Sequence, residues 1–314
     1  MNKEKPEYSV VVPVYNSCES LEELSVRIVH TMEGIQKTFE IIFVDDDSAD
    51  NSWGIVENLQ KADPGRIVAI RLARNFGQHN ATICGIAQAS GAYIITIDDD
   101  LQNPPEEISK LISCMEQSEA DLVYGIYGKK HHSMVRNMGS GAIKGWSRRV
   151  FSTKGDGSSF RLMKASLGKN LLNHQINFIY IDELFNWYTS HIAFVLVEHQ
   201  KRPYQQSTYT PHTLFSLLSN LIIYYTTMPL KMMVYGGFIS AMLSFITGIF
   251  FIYRKLAHGT PIQGFTALIV TILFSTSIIL LSLGVIGEYL SRIYMVQNRK
   301  PPFAIKTVLN HEVL

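Results

Sequence analysis

Three consecutive carboxylates, Asp98, Asp99 and Asp100, follow an apolar run that ends at Ile97. Like charges at partly buried positions repel one another, so a cation among them would stabilise the arrangement. In an extended chain, alternate side chains share one face and the side chain between them points to the other. Asp98, Asp100 and the amide of Gln102 would then share a face. Oxygen ligands of this kind suit Mg²⁺ or Mn²⁺, so the spacing predicts a divalent metal site.

A simpler interpretation is that these acids cap a helix. Pro104 and Pro105 are suited to a helix start, and Glu106 and Glu107 would favour its positive N-terminal end. One acid is enough for a cap, however, and this chain has three in a row after an apolar strand. The metal site is therefore the better explanation.

The elements that must position these acids alternate between β-branched runs and helical patterns. The runs are YSVVVPVYN, FEIIFVDDDS, RIVAIRLA, AYIITIDDD and DLVYGIY, with a later strand IAFVLVEH. Leu21, Leu24, Ile28, Met32 and Ile35 recur at intervals of three or four and predict a helix capped by Asn16 or Ser17. This alternation predicts an α/β fold with a mostly parallel sheet and helices on both faces.

A second acidic cluster, Asp45, Asp46 and Asp47, ends the second strand. Ligands of parallel sheets bind beyond the carboxyl ends of the strands, so both clusters are candidates for one site. The chain has no GxGxxG after its first strand and no GxxxxGK[ST] anywhere. A phosphorylated ligand would therefore need another source of positive charge, such as the metal.

The C-terminal third of the chain differs in charge and polarity from the rest. Residues 201–314 hold nine Lys or Arg against two acids, whereas residues 1–200 hold 19 against 25. Residues 232–253 and 264–287 are uncharged and long enough to cross a hydrocarbon core of roughly 30 Å. They predict a transmembrane hairpin whose flanking Lys and Arg place the N-terminal domain and the tail in the cytoplasm.

The predicted organisation has four parts: a cytoplasmic domain at 1–210, an interfacial helix at 211–230, the hairpin at 231–290 and a basic cytoplasmic tail at 291–314. The alternative for 213–229 is a third spanning helix, which its 17 residues and Pro229 disfavour. The N-terminus MNKEKPEYS has no apolar core and so is not expected to act as a signal peptide. Cys18, Cys84 and Cys114 lack metal or redox spacing and are interpreted as reduced thiols.

Several motifs, in this order and spacing, resemble a known family: SVVVPVYN, EIIFVDDDSADNSW, RNFGQHNA, IDDDLQNPPEEI, SSFRLM, GVIGEYLSRIY and RKPPF. The chain resembles the family-2 inverting glycosyltransferases that load a sugar onto a polyprenyl phosphate. Dolichyl-phosphate mannose synthases and bacterial undecaprenyl-phosphate sugar transferases, including the aminoarabinose-type branch, belong to that family. The resemblance implies a GT-A type domain, a nucleotide-diphosphate sugar donor and Mg²⁺ or Mn²⁺.

The resemblance also implies residue roles. The base and ribose would contact Pro13, Tyr15, Asp45 and Asp46, and the metal would be held by Asp98, Asp100 and Gln102. On the acceptor side, Arg136 and Ser140 would hold the lipid phosphate, and Arg202 would close over the phosphates. The alternative for Arg136 is a basic patch with Lys129, His131 and His132 that only attracts anionic lipid. His79 is interpreted as structural rather than functional.

The chain departs from the family pattern at a few positions. Ser17 replaces the usual Glu after the first YN, and Tyr127 stands where a second phosphate-binding arginine is common, with Lys129 or Lys130 as substitutes. Gln205 and Gln206 replace a glycine of the basic loop, and Val296 stands where an acid is expected.

The predicted reaction is a direct displacement that inverts the anomeric carbon. A lipid phosphate is largely ionised at neutral pH, so no separate base is assigned, although Asp99 or Asp100 could orient the sugar. The predicted partners are the nucleotide sugar, undecaprenyl or another polyprenyl phosphate, and the bilayer of the bacterial inner membrane. No nucleic acid is expected, and a homo-oligomer is left open.

Two alternatives remain. A processive polysaccharide synthase would need more than two spans to conduct a polymer, and its Q-x-x-R-W motif is absent from the sequence. A non-catalytic, membrane-tethered binder of nucleotide sugars is permitted by the departures at Ser17 and Tyr127. Such a binder would have no need for the acceptor-side Arg136, which favours the enzyme.

Overall fold

The structure is a computed structural model that describes residues 5–127, 158–173, 181–200, 228–258, 264–297 and 301–310. It divides into two compact units, Met1–Ser207 with Lys300–Leu314, and Thr208–Arg299. Arg136, Ser140, Arg202 and nearly all of the predicted interfacial helix lie outside the described residues.

The first unit alternates strands and helices as the sequence predicts. Its strands are β1 (Tyr8–Val14), β2 (Phe39–Asp45), β3 (Ile67–Leu72), β4 (Tyr93–Thr96), β5 (Leu122–Tyr127), β6 (Arg161–Lys164), β7 (Ile192–Val197) and β8 (Ile305–Leu309). Its helices are α1 (Leu21–Gly34), α2 (Ser52–Ala62), α3 (Gln78–Gln88), α4 (Ile108–Gln117), α5 (Ala165–Asn170) and α6 (Ile181–Tyr188). Short 3₁₀ turns lie at Pro105–Glu107 and Leu171–Asn173.

The strands form one sheet in the order β7-β5-β6-β4-β1-β2-β3-β8. β6 runs antiparallel to both of its neighbours, and β8 runs antiparallel to β3. The remaining strand pairs of the described sheet are parallel. The predicted mostly parallel sheet is confirmed, and its central strand β1 places the ends of β2 and β4 on either side of its own end.

Helices cover both faces of this sheet, which explains why β1 and β2 are buried at every position. One face packs against α1, α2 and α4, and the other packs against α3, α5 and α6. The predicted apolar stripe of α1 is confirmed, since Leu21, Leu24, Ile28 and Met32 are fully buried. Its N-cap is Ser20 rather than the predicted Asn16 or Ser17. Those two residues instead belong to the loop that follows β1.

Helix α3 lies very close to the sheet. A Cβ added at Gly85 would stand 2.3 Å from Val11 Cγ1, far inside ordinary contact distance. The missing side chain therefore lets α3 approach β1 and fixes the height of the helix above the strand. Because α3 begins at Gln78, this packing also fixes the position of its N-terminal residues beside the sheet edge.

The segment after the last helix differs from the predicted separate tail. The helix itself continues to Gln297, and Ile305–Leu309 then forms the edge strand β8. Ala73 N donates to Ala304 O at 2.8 Å, and Phe303 packs against the buried cluster on the α3 face. The short β-branched run satisfies the open hydrogen-bonding edge of β3, so part of the tail belongs to the first unit.

The second unit contains two long helices, α7 (Met228–His258) and α8 (Phe265–Gln297). Each contains an apolar window long enough to cross a membrane, Met232–Phe250 in α7 and Phe274–Ser291 in α8. Most described side chains of both helices are exposed within the chain itself, including Phe238, Phe245 and Leu281. Such apolar surface is suited to lipid rather than water.

A substitution of Phe303 can test whether the segment around β8 packs on the first unit. We expect Phe303→Ala to lower the free energy of unfolding of the first unit by about 1–3 kcal/mol, because a partly buried aromatic contact is lost. Thermal unfolding of the detergent-solubilised protein measures the change. Lys306→Ala, which removes an exposed side chain from the same segment, is the matched control and should have little effect. Equal behaviour of the two variants would contradict docking of the tail.

Candidate active site

The two acidic clusters lie at the same edge of the sheet. Asp45 is the last residue of β2, and Asp98 follows two residues after the end of β4. Between them stands β1, whose chain continues into Tyr15 beyond Val14. The sheet order thus brings both clusters to the edge where the rule for parallel sheets predicts a ligand.

Asp98 is held by two donors from different elements. Gln78 Nε2, at the start of α3, donates to Asp98 Oδ1 at 2.6 Å. Ser159 Oγ, in the segment that leads into β6, donates to Asp98 Oδ2 at 2.5 Å. The carboxylate is therefore held through both of its oxygens by donors from two different elements.

Asp99 has a different set of partners from Asp98. Its Oδ2 accepts from Tyr15 N at 3.0 Å and from Ser17 Oγ at 2.5 Å. Ser20 Oγ donates to the Asp99 carbonyl at 2.5 Å. Burial raises the pKa of Asp99 to about 7, and the hydrogen bonds from Ser17 and Tyr15 oppose that rise. Asp99 thus joins the acidic turn to the loop after β1.

The predicted position of Gln102 rests on an extended chain, and that premise is wrong. β4 ends at Thr96, and Leu101 is buried with a φ of 58° in the left-handed region. Gln102 N folds back and donates to Asp100 Oδ1 at 3.1 Å, while its carbonyl accepts from Gln200 N at 2.9 Å. The turn, which buries Leu101, decides where Gln102 lies, and strand alternation does not.

The donor set suits a metal that is completed by a ligand. Asp98, Asp100 and Gln102 are all partly exposed at the sheet edge and supply two carboxylates and an amide. Over the described ranges, no group of three or more His, Cys, Asp or Glu is placed to hold a metal alone. Mg²⁺ commonly takes one or two protein carboxylates and completes its shell with water and substrate phosphates. The residues therefore fit a divalent cation bound together with a diphosphate.

Asp46 accepts hydrogen bonds from the backbone of the loop before α3. Its Oδ1 accepts from Phe76 N and its Oδ2 from Gly77 N, each at 2.7 Å. Gly77 has a φ of 89°, a conformation that favours glycine. Burial raises the pKa of Asp46, and the two backbone donors oppose this. Asp46 thereby anchors the loop that carries Gln78 toward Asp98.

Asp45 is fully buried and incompletely satisfied. Its Oδ1 accepts from Ser48 N at 3.3 Å, while Oδ2 lies 3.4 Å from Arg71 Nε. Within the described residues, neither this Oδ2 nor Arg71 Nε has a hydrogen-bond partner. Burial raises the pKa of Asp45 despite the nearby Ser48 and Arg71. A buried acceptor without a donor costs free energy that a ligand hydroxyl or N–H could recover.

The predicted base contacts differ in exposure. Pro13 is buried inside β1 beside Val44 of β2, so it shapes the end of the strand. Tyr15 is 49% exposed at the edge, where its ring can meet a ligand. The departure at Tyr127 is also explained locally, because its hydroxyl donates to Asn103 Oδ1 at 2.6 Å and its ring contacts His199.

A buried polar cluster behind the edge was not predicted. Arg161 is 3% exposed, and its Nη1 pairs with Asp182 Oδ1, which also accepts from Tyr124 OH at 2.9 Å. Arg161 Nε donates to Thr96 Oγ1 at 3.0 Å. The SSFRLM motif contains Arg161, but an arginine in a motif does not reveal that its partner lies 21 residues further along the chain.

His79 lies next to this cluster. Burial lowers the pKa of His79 to about 4, the nearby Arg161 lowers it further, and the Asp182 carboxylate acts in the opposite direction. The imidazole is therefore neutral at physiological pH. This supports the structural interpretation of His79.

The depressed pKa of His79 makes stability depend on pH. The unfolded chain binds a proton at this residue below about pH 6.5, whereas the folded chain does so only near pH 4. The stability that neutral His79 contributes is thus present above pH 6.5 and lost as the pH falls toward 4. We expect His79→Gln to flatten this part of the profile of unfolding temperature against pH. His30→Gln, on the exposed side of α1, should leave the profile unchanged.

The chain is similar to known proteins over most of its length. Residues 9–186 match the family model described as Glycosyl transferase family 2. Over 305 residues, the chain is 32% identical to the undecaprenyl-phosphate 4-deoxy-4-formamido-L-arabinose transferase of Edwardsiella ictaluri, covering 96% of this chain and 94% of the relative. It is also 32% identical over 317 residues to the protein of that name from Yersinia pestis, covering 99% and 96%.

Solved structures of lower similarity were also found. The Mycobacterium tuberculosis glucosyl-3-phosphoglycerate synthase in complex with UDP has 18% identity and a TM-score of 0.49, covering 69% of this chain and 78% of that one. Staphylococcus aureus TarS 1-349 in complex with UDP-GlcNAc has 18% identity and a TM-score of 0.45, covering 70% and 66%.

Proposed function

Because the chain belongs to glycosyl transferase family 2, we propose that it transfers one sugar from a nucleotide-diphosphate sugar to undecaprenyl phosphate or a related polyprenyl phosphate. The observation that carries this proposal is the similarity to undecaprenyl-phosphate sugar transferases over 96% of the chain, which includes both apolar helices. A soluble acceptor would not require those helices. The product would be a lipid-linked sugar for cell-envelope modification.

The donor's diphosphate would bind beside Asp98, Asp100 and Gln102. These residues would hold Mg²⁺ or Mn²⁺, which when bound supplies positive charge to the departing nucleotide diphosphate. The protein's own part is to fix the ligands in advance, and Asp98 is already fixed by Gln78 and Ser159. Preorganised ligands lower the reorganisation that the reaction would otherwise require.

The nucleoside would lie across the ends of β1 and β2. Tyr15 would contact the base through its exposed ring, with Pro13 shaping the strand end beneath it. Asp45 would accept a hydrogen bond from the base or ribose through its Oδ2, which faces Arg71 but has no hydrogen bond within the described residues. Asp46 would act mainly on the loop at Phe76 and Gly77, with its remaining lone pairs open to the ribose.

The acceptor side would consist of Arg136, Ser140 and Arg202. Arg136 and Ser140 would hold the lipid phosphate, and Arg202 would close over the phosphates. An ionised phosphate oxygen is already a nucleophile, so alignment with the anomeric carbon is the main task of these residues. A single direct displacement would invert that carbon, and no residue is assigned as a base.

The pairing of strands in the sheet supports a membrane topology with two spans. β8 comes after both apolar helices, yet it pairs with β3, which precedes them. A chain that returns to the same sheet must cross a bilayer an even number of times, which supports two spans and argues against a third one at 213–229. With the flanking Lys and Arg counted, the catalytic unit would lie on the cytoplasmic side of the bacterial inner membrane. Two spans are also too few for a polymer-conducting synthase.

The reaction can be tested directly. Purified, detergent-solubilised protein is incubated with undecaprenyl phosphate, Mg²⁺ and a panel of UDP-, GDP- and dTDP-sugars, and the lipid fraction is analysed by mass spectrometry. We expect the lipid to gain the mass of one sugar and this product to disappear with EDTA. Nucleotide-sugar binding without any lipid product would instead favour the non-catalytic binder.

Asp100 provides a test of the donor side. We expect Asp100→Ala to lower the transfer rate by about 100-fold or more, because a charged ligand of the diphosphate-bound cation is lost. Unfolding temperature and membrane insertion should be unchanged. Glu119→Ala, which removes an exposed acid outside the two acidic clusters, serves as the control. Unimpaired transfer by Asp100→Ala would remove this residue from the mechanism.

Arg136 provides a separate test of the acceptor side. We expect Arg136→Ala to abolish the lipid product while binding of the nucleotide sugar, measured by calorimetry, stays within about twofold of the wild type. The reason is that its guanidinium would contact only the lipid phosphate. Arg136→Lys, which keeps the charge and loses the bidentate geometry, should recover part of the rate. Retained transfer in Arg136→Ala would favour the anionic-lipid patch.

A further inference from the structure

The segment Ser158–Arg161 has no role in the proposed reaction, yet it reaches the proposed metal ligand. Ser159 Oγ donates to Asp98 Oδ2 at 2.5 Å. The carbonyl of the same Ser159 accepts from Thr96 Oγ1 at 2.5 Å. Ser159 therefore connects the acidic turn to the end of β4 through its side chain and its backbone.

This connection continues into the buried cluster. Arg161 Nε donates to Thr96 Oγ1 at 3.0 Å, and the guanidinium pairs with Asp182 of α6. The rings of Phe185 and Tyr124 lie 5.4 and 6.0 Å from the Arg161 guanidinium carbon. A continuous chain of contacts thus joins α6, β6 and β4 to Asp98.

Such a cluster is a poor source of stability. Burying two charges costs several kcal/mol of desolvation, and replacement of a buried ion pair by apolar residues is often neutral or stabilising. Its more useful property is geometry, because a planar guanidinium with several fixed donors holds its partners in defined positions. Here the guanidinium of Arg161 fixes the side chain of Thr96. The Thr96 hydroxyl in turn fixes the backbone carbonyl of Ser159.

We propose that Ser159 is a positioning residue for Asp98, and that the buried Arg161–Asp182 pair holds Ser159 in place through Thr96. This inference rests on the proposed function, since it assigns Asp98 to a divalent cation. Hydrogen bonds to metal-binding carboxylates orient the ligand and tune its affinity, and their loss commonly weakens metal binding 10-fold or more. Gln78 supplies the second such bond, on the other oxygen of Asp98.

The test is Mn²⁺ binding in the presence of UDP, measured by electron paramagnetic resonance on the full-length protein in detergent. We expect Ser159→Ala to raise the Mn²⁺ dissociation constant about 10-fold. Ser159→Thr keeps the hydroxyl and should restore most of the affinity. Ser158→Ala removes the neighbouring hydroxyl, which bonds with Phe160 N rather than with Asp98, and should stay within about twofold of the wild type.

A double-mutant cycle separates positioning from general loss of structure. Thr96→Val removes the hydroxyl between Arg161 and Ser159 while keeping the side-chain shape. We expect it to weaken Mn²⁺ binding in the wild-type background and to have little further effect in Ser159→Ala, because both changes act through one connection. Additive effects would mean that Thr96 does not act through Ser159 and would overturn the proposal.

The two levels of the proposal fail in different ways. If the wild type forms the lipid product and binds Mn²⁺ with UDP, but Ser159→Ala binds Mn²⁺ equally well, then only the positioning role is overturned. If the wild type binds no Mn²⁺ in the presence of UDP, then the metal assignment of Asp98 fails and this inference fails with it. A thermal-unfolding measurement on each variant identifies any that are merely misfolded.

Discussion

The crowding of carboxylates at one edge of the sheet is the constraint on which the site depends. Repulsion and desolvation act against Asp45, Asp46 and the 98–100 triplet, and burial raises the pKa of three of them, Asp45, Asp46 and Asp99. Three of these carboxylates accept hydrogen bonds from other segments of the chain. Asp46 holds the loop before α3, Asp99 the loop after β1, and Asp98 both α3 and the segment before β6. The same bonds that stabilise the charges therefore fix the loops of the site.

The sheet and the helices that cover it hold the loops of the site rigidly. A sheet buried on both faces leaves its strands little freedom, and Gly85 lets α3 pack directly on β1. On the face covered by α3, α5 and α6, the Arg161–Asp182 pair replaces part of the apolar core with directional contacts. The two kinds of packing have different effects: apolar contacts set the distance between layers, and the polar cluster sets the orientation of individual side chains near Asp98.

The departures from the family pattern become understandable when their contacts are known. Ser17 stands in the place of the usual Glu, and its short side chain donates a hydrogen bond to Asp99. This hydrogen bond joins the loop after β1 to the acidic turn. Tyr127 binds Asn103 in the turn that follows the acids. Neither partner is close in sequence to the residue it binds, and for that reason the departures could be noticed but not explained before the fold was known.

The sequence by itself determined strands β1 to β5 and β7, the two acidic clusters at one sheet edge and the pair of apolar helices, because all of these follow from local periodicity and from where apolar runs stop. Only the tertiary structure decided the position of Gln102, the docking of Ile305–Leu309 on β3 and the buried contact between Arg161 and Asp182. These features depend on a buried turn residue, an open sheet edge and a long-range ion pair. Each of them joins residues through space rather than along the sequence, so none leaves a periodic pattern in the chain.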